Sequence, residues 1–238
     1  RPAPARNARP ASAGARRNAA PYERGSRATR RGTGDDDHMA NSSVSDVASS
    51  ANPMLKVKSD SKPNTVAGAI CNVVREAARN KPPSVLATGP QAINQAMKAV
   101  AIARKYLLEE DTPIDLICSP KFEQDIRSGS NVCFEIAKSK PVRREPLDDD
   151  LAAKDKTDVF KLAGAIAGRV RDGQQVAVTT KGAIPVLVAV KAIALAQEYV
   201  EEDNLDLKFA VAIVDLENPE IRNETSTYLH FAILPRNA

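Results

Sequence analysis

The stretch "KAVAIARKYL" at residues 98–107 returns as "KAIALAQEYV" at residues 191–200. The match extends outward in the same order, because "TVAGAI" at 65–70 answers to "KLAGAI" at 161–166 and "IDL" at 114–116 to "LDL" at 205–207. The offset between the copies falls from 96 to 93 to 91 residues, as trimmed loops between retained elements would produce. The sequence therefore predicts an internal repeat, with repeat 1 over 54–140 and repeat 2 over 158–238.

Repeat 1 predicts the element order βαβαββ. The alternating "MLKVKS" (54–59) favours a strand, and apolar residues at helical spacing follow it. "SVLATG" (84–89) then favours a strand, and Pro90 suits the first turn of a second helix. The strands "IDLICS" and "NVCFEIAK" complete the repeat. Repeat 2 follows the same plan, but "LAAKDK" (151–156) has little β character, so segment 141–157 is a linker in which a degenerate first strand stays open.

The second helix of each repeat has two apolar faces, one of large residues and one of alanines, so we expect it to be buried on two sides. Glycine also interrupts each first helix, at a cost of about 1 kcal/mol against alanine that a packing role would explain. We predict an α+β pseudo-dimer within one chain, whose repeats pack through these small residues. The predicted interface consists of Gly68, Ala92, Ala96, Ala99, Ala103, Gly164, Ala189, Ala192 and Ala196.

Residues 1–53 form a low-complexity extension, of which 1–34 carry nine Arg against one Glu. Such a composition cannot bury enough apolar surface to offset the entropy of ordering. Three interpretations remain open: an organellar transit peptide or its remnant, a basic arm along a phosphate backbone, or an appended leader ending near "DDDHMA" (35–40). The arm would use Arg16, Arg17, Arg30 and Arg31. Residues 41–53 are a predicted linker.

The overall composition limits the classes of function. The three cysteines are far apart and lack ligand spacing, which favours a reducing compartment. No apolar run approaches the roughly 20 residues that span a bilayer, so we expect no membrane insertion. The chain has two histidines and no nucleophile–base motif, and the acidic "LDDDLAAKD" lacks the spacing and glycine of a calcium loop. We predict no enzyme activity, no metal and no cofactor.

The segment "SKPNTVAGAI…VLATGPQAINQAMKAVAIARKYL…IDLICSPKFE" closely resembles the bacterial stage V sporulation protein S family, of the Alba-like superfamily. The resemblance covers 54–138 and, more loosely, 158–235, where Leu187-Val188 replaces Asn94-Gln95 and the Lys-Pro pair is missing. It implies a dimeric βαβαββ nucleic-acid binder that contacts phosphates through the turn before helix one, the second turn and the β-hairpin. The residues so implied are Lys62, Pro63, Asn64, Gly89, Gln91, Lys121 and Arg127.

The residues themselves agree with phosphate binding. Lys56, Lys58 and Lys62 alternate along a strand and its exit turn, and amides after Gly89 could hold a phosphate oxygen. Such contacts carry little base specificity, and an aromatic content of 4% without Trp disfavours sequence-specific stacking. An ordinary solvated strand edge remains the alternative for the lysines. For Asn94, Gln95, Lys98 and Lys191, helix packing and nucleic-acid contact are equally open.

These observations favour a non-catalytic nucleic-acid-binding protein, of RNA rather than DNA. The Arg-rich extension and one degenerate repeat suit a component of an organellar ribonucleoprotein such as a ribosome, with protein partners there. We therefore expect it in a plastid or mitochondrion, with the cytoplasm as the alternative. The competing hypothesis is a structural module that docks proteins in a large organellar complex without touching nucleic acid.

Overall fold

The computed structural model describes residues 53–76, 83–217 and 225–237. Repeat 1 contains β1 (Met54–Val57), α1 (Pro63–Glu76), β2 (Ser84–Thr88), α2 (Pro90–Leu108), β3 (Asp115–Phe122) and β4 (Asn131–Ser139). Repeat 2 contains β5 (Leu151–Ala153), α3 (Val159–Arg171), β6 (Val176–Thr180), α4 (Ala183–Glu201), β7 (Leu205–Glu217) and β8 (Thr225–Asn237). The predicted α+β class with two βαβαββ repeats is confirmed.

Repeat 2 keeps its first strand, which the sequence left open. β5 is only three residues long and pairs in parallel with β6, with Leu151 opposite Val178. The corresponding pair in repeat 1 is Leu55 and Val85 of β1 and β2. Pairing with β6 therefore stabilises β5, and local β propensity does not measure such pairing.

The eight strands form one sheet in the order β1-β2-β4-β3-β7-β8-β6-β5. Each half repeats the order of the other in reverse, so a pseudo-two-fold axis passes between β3 and β7. These two central strands pair antiparallel at Cys118 and Phe209. The repeats therefore form a pseudo-dimer with a continuous sheet.

The two repeats also share one hydrophobic core. Phe134 of β4 and Phe209 of β7 meet edge to face with ring centroids 6.4 Å apart, and Phe209 lies 5.4 Å from Phe231. α2 packs on α4 and β7 of the other repeat. Among the described helices, only α4 has the length and mean hydropathy, 1.6, of a candidate membrane span, and 61% of it is buried inside the fold. Core packing accounts for that apolar character.

The described contacts of α2 with repeat 2 lie on a different side of the helix from the alanine stripe. α2 meets repeat 2 through a side that includes Lys98, Ala101 and Arg104. Since each helical residue advances by about 100°, Ala96 and its stripe lie on the opposite side. That side faces α1, where the Cys71 thiol donates to the Ala103 carbonyl at 3.7 Å. All of the predicted alanines are buried, and their place in a repeat interface stays a prediction: Ala92, Ala96, Ala99, Ala103, Ala189, Ala192 and Ala196.

The main contacts of each first helix lie within its own repeat. α1 packs mainly on α2 and β1, and α3 packs mainly on α4 and β6. A Cβ atom added at Gly68 or Gly164 would meet nothing within 4 Å, and Gly164 is exposed. No close approach of another backbone therefore requires glycine at these positions.

A buried ion pair lies at the junction of the repeats. Arg104 Nε and Nη2 donate to the two carboxylate oxygens of Asp115 at 2.6 and 2.9 Å. Arg104 Nη1 also donates to the Val211 carbonyl of repeat 2 at 2.7 Å. Asp115 is fully buried and Arg104 is 6% exposed. This pair was not predicted from the sequence, although Asp115 belongs to the repeated "IDL" motif.

Repeat 2 uses a different pair at the corresponding place. Gln197, 93 residues after Arg104, donates through Nε2 to Asp206 Oδ1 at 3.0 Å and to Ser119 Oγ of repeat 1 at 3.0 Å. The junction is therefore symmetric in position but not in chemistry. A buried guanidinium lies on one side of the pseudo-two-fold axis and a half-buried neutral amide on the other.

Candidate nucleic-acid interface

The predicted basic turn lies on the surface, between β1 and α1. The Lys58 amide donates to Ser61 Oγ at 2.9 Å, which fixes the turn. The Lys62 carbonyl accepts the Val66 amide at 3.1 Å, so Lys62 occupies the cap position of α1. The side chains of Lys56, Lys58 and Lys62 are exposed, and none of the described carboxylates pairs with them. These three ammonium groups face solvent together.

The start of α1 leaves backbone amides open. Pro63 has no N–H and suits the first helical position. The cap residue is a lysine, whose side chain has no acceptor atom, and no described side chain accepts the amides of Asn64 and Thr65. Free amides and the positive end of the helix dipole favour an anion at such a place. Asn64 is exposed and does not cover them.

The second turn joins the same edge. Gly89 has φ 86°, a left-handed backbone conformation that favours glycine. Its amide donates to the Ser130 carbonyl at 2.8 Å, and α2 then begins at Pro90 without a side-chain cap. Gln91 is exposed. Because β1 and β2 are adjacent parallel strands about 4.8 Å apart, both helices begin at one edge of the sheet, which we call the Lys62 edge.

Two predicted contacts of the β3–β4 hairpin lie elsewhere. Lys121 pairs with Glu135 at 3.1 Å and lines a cavity beside α4. The Arg127 guanidinium carbon lies 5.3 Å from the centre of the Phe160 ring, at the start of α3. The β3–β4 hairpin of repeat 1 therefore contacts repeat 2. Arg16, Arg17, Arg30 and Arg31 lie outside the described residues.

Three of the four residues left open on the second helices face the other repeat, while Gln95 is half-buried. Asn94 is buried, and it lines a cavity with Lys98 and the turn of Lys181 and Gly182. Lys191 Nζ donates to the Arg127 carbonyl at 3.1 Å. Partial burial lowers the pKa of Lys191, against a weaker opposing effect of the Asp125 carboxylate. Lys191 thus holds the hairpin of repeat 1 against α4.

The corresponding edge of repeat 2 has the opposite charge at its cap. Asp158, 96 residues after Lys62, accepts the amides of Phe160 and Lys161 at 2.9 and 3.1 Å through Oδ1. A carboxylate of the chain itself therefore occupies the place that stays open in α1. The preceding turn is retained, because the Lys154 amide donates to Thr157 Oγ1 at 2.8 Å. The repeat register alone could have revealed this exchange of lysine for aspartate.

A family model described as stage V sporulation protein S (SpoVS) matches the chain twice, over residues 53–136 and 149–236. The first match runs from just before β1 into β4, and the second runs from just before β5 into β8. Together the two matches span well over half of the 238 residues. The chain therefore belongs to the stage V sporulation protein S family, as a tandem of two copies.

Proposed function

We propose that this protein binds nucleic acid through the Lys62 edge without catalysing a reaction, and that its ligand is RNA rather than DNA. The proposal rests on one difference between the repeats, the residue at the cap of the first helix. At the start of the first helix, repeat 1 has open amides beside a lysine, whereas in repeat 2 a carboxylate, that of Asp158, occupies that place.

The chemistry of the Lys62 edge suits a phosphate backbone. Lysines without carboxylate partners neutralise phosphates, and each releases counterions when it does so. Open amides at the starts of α1 and α2 add hydrogen bonds to phosphate oxygens. Such contacts supply affinity and register with little sequence information. The protein would therefore bind an extended backbone and discriminate weakly between base sequences.

Fluorescence anisotropy with labelled single-stranded RNA and duplex DNA, over a salt series, tests the proposal. Three lysine–phosphate contacts predict a slope of log K against log salt of about −2 on a single strand. Lys62→Glu should lower both affinity and slope, and removal of residues 1–34 should lower the slope further if the arm also binds. Negligible binding without salt dependence would contradict the proposal and support a pure protein-docking module.

We further propose that the protein works in an organellar ribonucleoprotein such as a ribosome. The Arg-rich residues 1–34 and the lysine edge of repeat 1 support this setting by their charge. Tagged protein should be recovered from organelles with ribonucleoprotein particles, and ribonuclease should release it. Recovery that is unchanged by nuclease, or from the cytosol alone, would contradict this setting.

A further inference from the structure

A small cavity lies between α2 of repeat 1 and the β7–β8 hairpin of repeat 2. Its volume is about 200 Å³. We call it the Asn94 pocket; its chemistry is set by Asn94, Lys98, Lys181, Ile213, Tyr228 and Leu229. Pockets for drug-sized ligands measure about 300–1,000 Å³, whereas one water molecule occupies about 30 Å³ of the liquid. The Asn94 pocket therefore has room for one small ring system rather than for a large ligand.

Asn94 brings an unused hydrogen-bonding group to this pocket. The residue is 8% exposed, and its side-chain amide has no hydrogen-bond partner among the described residues. Buried polar side chains are normally hydrogen-bonded, because an unmade hydrogen bond costs free energy. The amide carries both a donor and an acceptor. A ligand that offers both kinds of group would satisfy it.

Packing of the second helix does not require this amide. The offset of 93 residues aligns Asn94 with Leu187 and Lys98 with Lys191. In repeat 2 an apolar side chain therefore takes the place of the amide, and Lys191 donates to the Arg127 carbonyl at 3.1 Å. Lys98 is exposed and pairs with no described carboxylate. Neither polar group of α2 is explained by the packing that the two helices share.

The remaining walls come from repeat 2 and are largely apolar or aromatic. Ile213 of β7 and Tyr228 of β8 line the pocket. Lys181 donates to Ser226 Oγ at 3.0 Å and lies 5.8 Å from the centre of the Tyr228 ring, so its ammonium group is already engaged. None of the described residues that line the pocket is acidic. The pocket thus offers a neutral amide, an aromatic ring and apolar side chains beside the open ammonium group of α2.

A nucleobase matches these walls better than a bare anion does. The flat faces of a base stack on aromatic side chains, and its edge combines donors with acceptors. Asparagine pairs with adenine in this way, through N6 and N7. A bare inorganic anion would gain nothing from Ile213 and Leu229, and Lys98 is the one ammonium group in the described lining that no other group engages. The amide and the ring together therefore select a base, and adenine in particular.

The pocket is close to the proposed backbone site. α2 begins at Pro90 on the Lys62 edge, and Asn94 follows one helical turn later, about 6 Å along the axis. We propose that the Asn94 pocket receives one adenine base of the bound RNA, with the amide on the base edge, Tyr228 on its face and Lys98 toward its phosphate. The proposal rests on the RNA binding proposed for the Lys62 edge and adds one base-specific contact to it.

The test compares binding of RNA homopolymers of A, C and U, of equal length and at one salt concentration, to the full chain. AMP and inorganic phosphate are titrated separately. Asn94→Leu introduces the residue of repeat 2 and removes the amide, and Tyr228→Leu removes the aromatic face. Tyr106→Gln is the matched control, because Tyr106 is 44% exposed on α2 and does not line the pocket. Urea unfolding measures the stability of each variant.

The chain should prefer the adenine homopolymer by about tenfold, and Asn94→Leu should abolish that preference. Asn94→Leu should not lower the urea midpoint, because the amide has no partner to lose in the free chain. Tyr228→Leu should weaken binding of the adenine homopolymer, and Tyr106→Gln should leave it unchanged. A lower midpoint for Asn94→Leu would show that the amide serves the fold and would overturn the proposal.

The other outcomes separate this proposal from that of the Lys62 edge. Equal binding of the three homopolymers, or an adenine preference that survives Asn94→Leu, would overturn the pocket and leave the Lys62 edge intact. AMP binding that Asn94→Leu abolishes, in a chain that binds no homopolymer, would support the pocket with a free nucleotide as its ligand and contradict the Lys62 edge. Inorganic phosphate that binds as well as AMP would make a bare anion the occupant and overturn the proposal. No binding of AMP or of any homopolymer would overturn both proposals.

Discussion

The buried ion pair at the repeat junction gives the sharpest prediction about stability. Arg104→Ala removes both donors that reach the Asp115 side chain from α2. The carboxylate keeps the amides of Leu116 and Val142, each at 2.7 Å. Breaking one side of a buried pair typically costs about 3–5 kcal/mol, because the remaining charge stays buried. The free energy of unfolding should therefore fall by about 3 kcal/mol, the lower end of that range, since two amides remain.

Urea unfolding followed by far-ultraviolet circular dichroism measures the change. Arg171→Ala is the matched control, because it removes an exposed partner of Asp203 at 2.8 Å and should cost less than about 1 kcal/mol. Arg104→Gln imitates Gln197 of repeat 2 and should cost less than Arg104→Ala. If Arg104→Ala destabilises no more than Arg171→Ala, the junction does not depend on this ion pair and the reasoning is refuted.

Three further predictions concern single residues. Gly164→Ala should stabilise the fold by about 1 kcal/mol in urea unfolding, because the added methyl meets no neighbour within 4 Å; destabilisation would show an unseen contact. Burial raises the pKa of Cys118 to about 12, so iodoacetamide at pH 8 should label the half-buried Cys133 first, and preferential labelling of Cys118 would contradict its placement. Burial lowers the pKa of His230 against the opposing effect of Asp150. Below about pH 6.5 this histidine therefore binds a proton more readily in the unfolded chain than in the folded one. The free energy of unfolding should fall from pH 7 to pH 5, and His230→Gln should reduce that fall. An equal fall in both proteins would exclude His230 as the cause.

The fold could be predicted because the sequence contains two copies of the same order of elements. The motifs occur in the same order in both copies, and the offset between them decreases in small steps, which defined the two repeats. The two apolar faces of α2 predicted that this helix is buried on two sides. Periodicity identifies a buried face but not what covers it. The burial of Ala96, Met97 and Ala99 could therefore be predicted, whereas the elements that pack on them could not. Contacts set by the assembled pseudo-dimer cannot be recovered from one helix alone.

The site was predictable in part. Lys62 is exposed in the turn before α1, and Gly89 precedes α2 as the repeat pattern predicted, but their contacts with phosphate stay a prediction. The contact of Arg127 with repeat 2 could not be foreseen, because it depends on the path of the hairpin across the pseudo-two-fold axis. The difference at Asp158 could have been found from the sequence, since the offset of 96 residues aligns Asp158 with Lys62. Comparing the copies position by position reveals differences in chemistry that motif matching alone does not.

Repeat 1, and not repeat 2, is proposed to bind phosphates. The most direct measurement compares two triple variants of the full chain in salt-dependent RNA binding, Lys56→Ala/Lys58→Ala/Lys62→Ala and Lys154→Ala/Lys156→Ala/Lys161→Ala. All six lysines are exposed, and the two sets occupy corresponding segments of the repeats. The first triple should reduce the slope of log K against log salt by about 2 on a single strand, and the second should leave it unchanged. Equal slopes for the two triples would contradict the account.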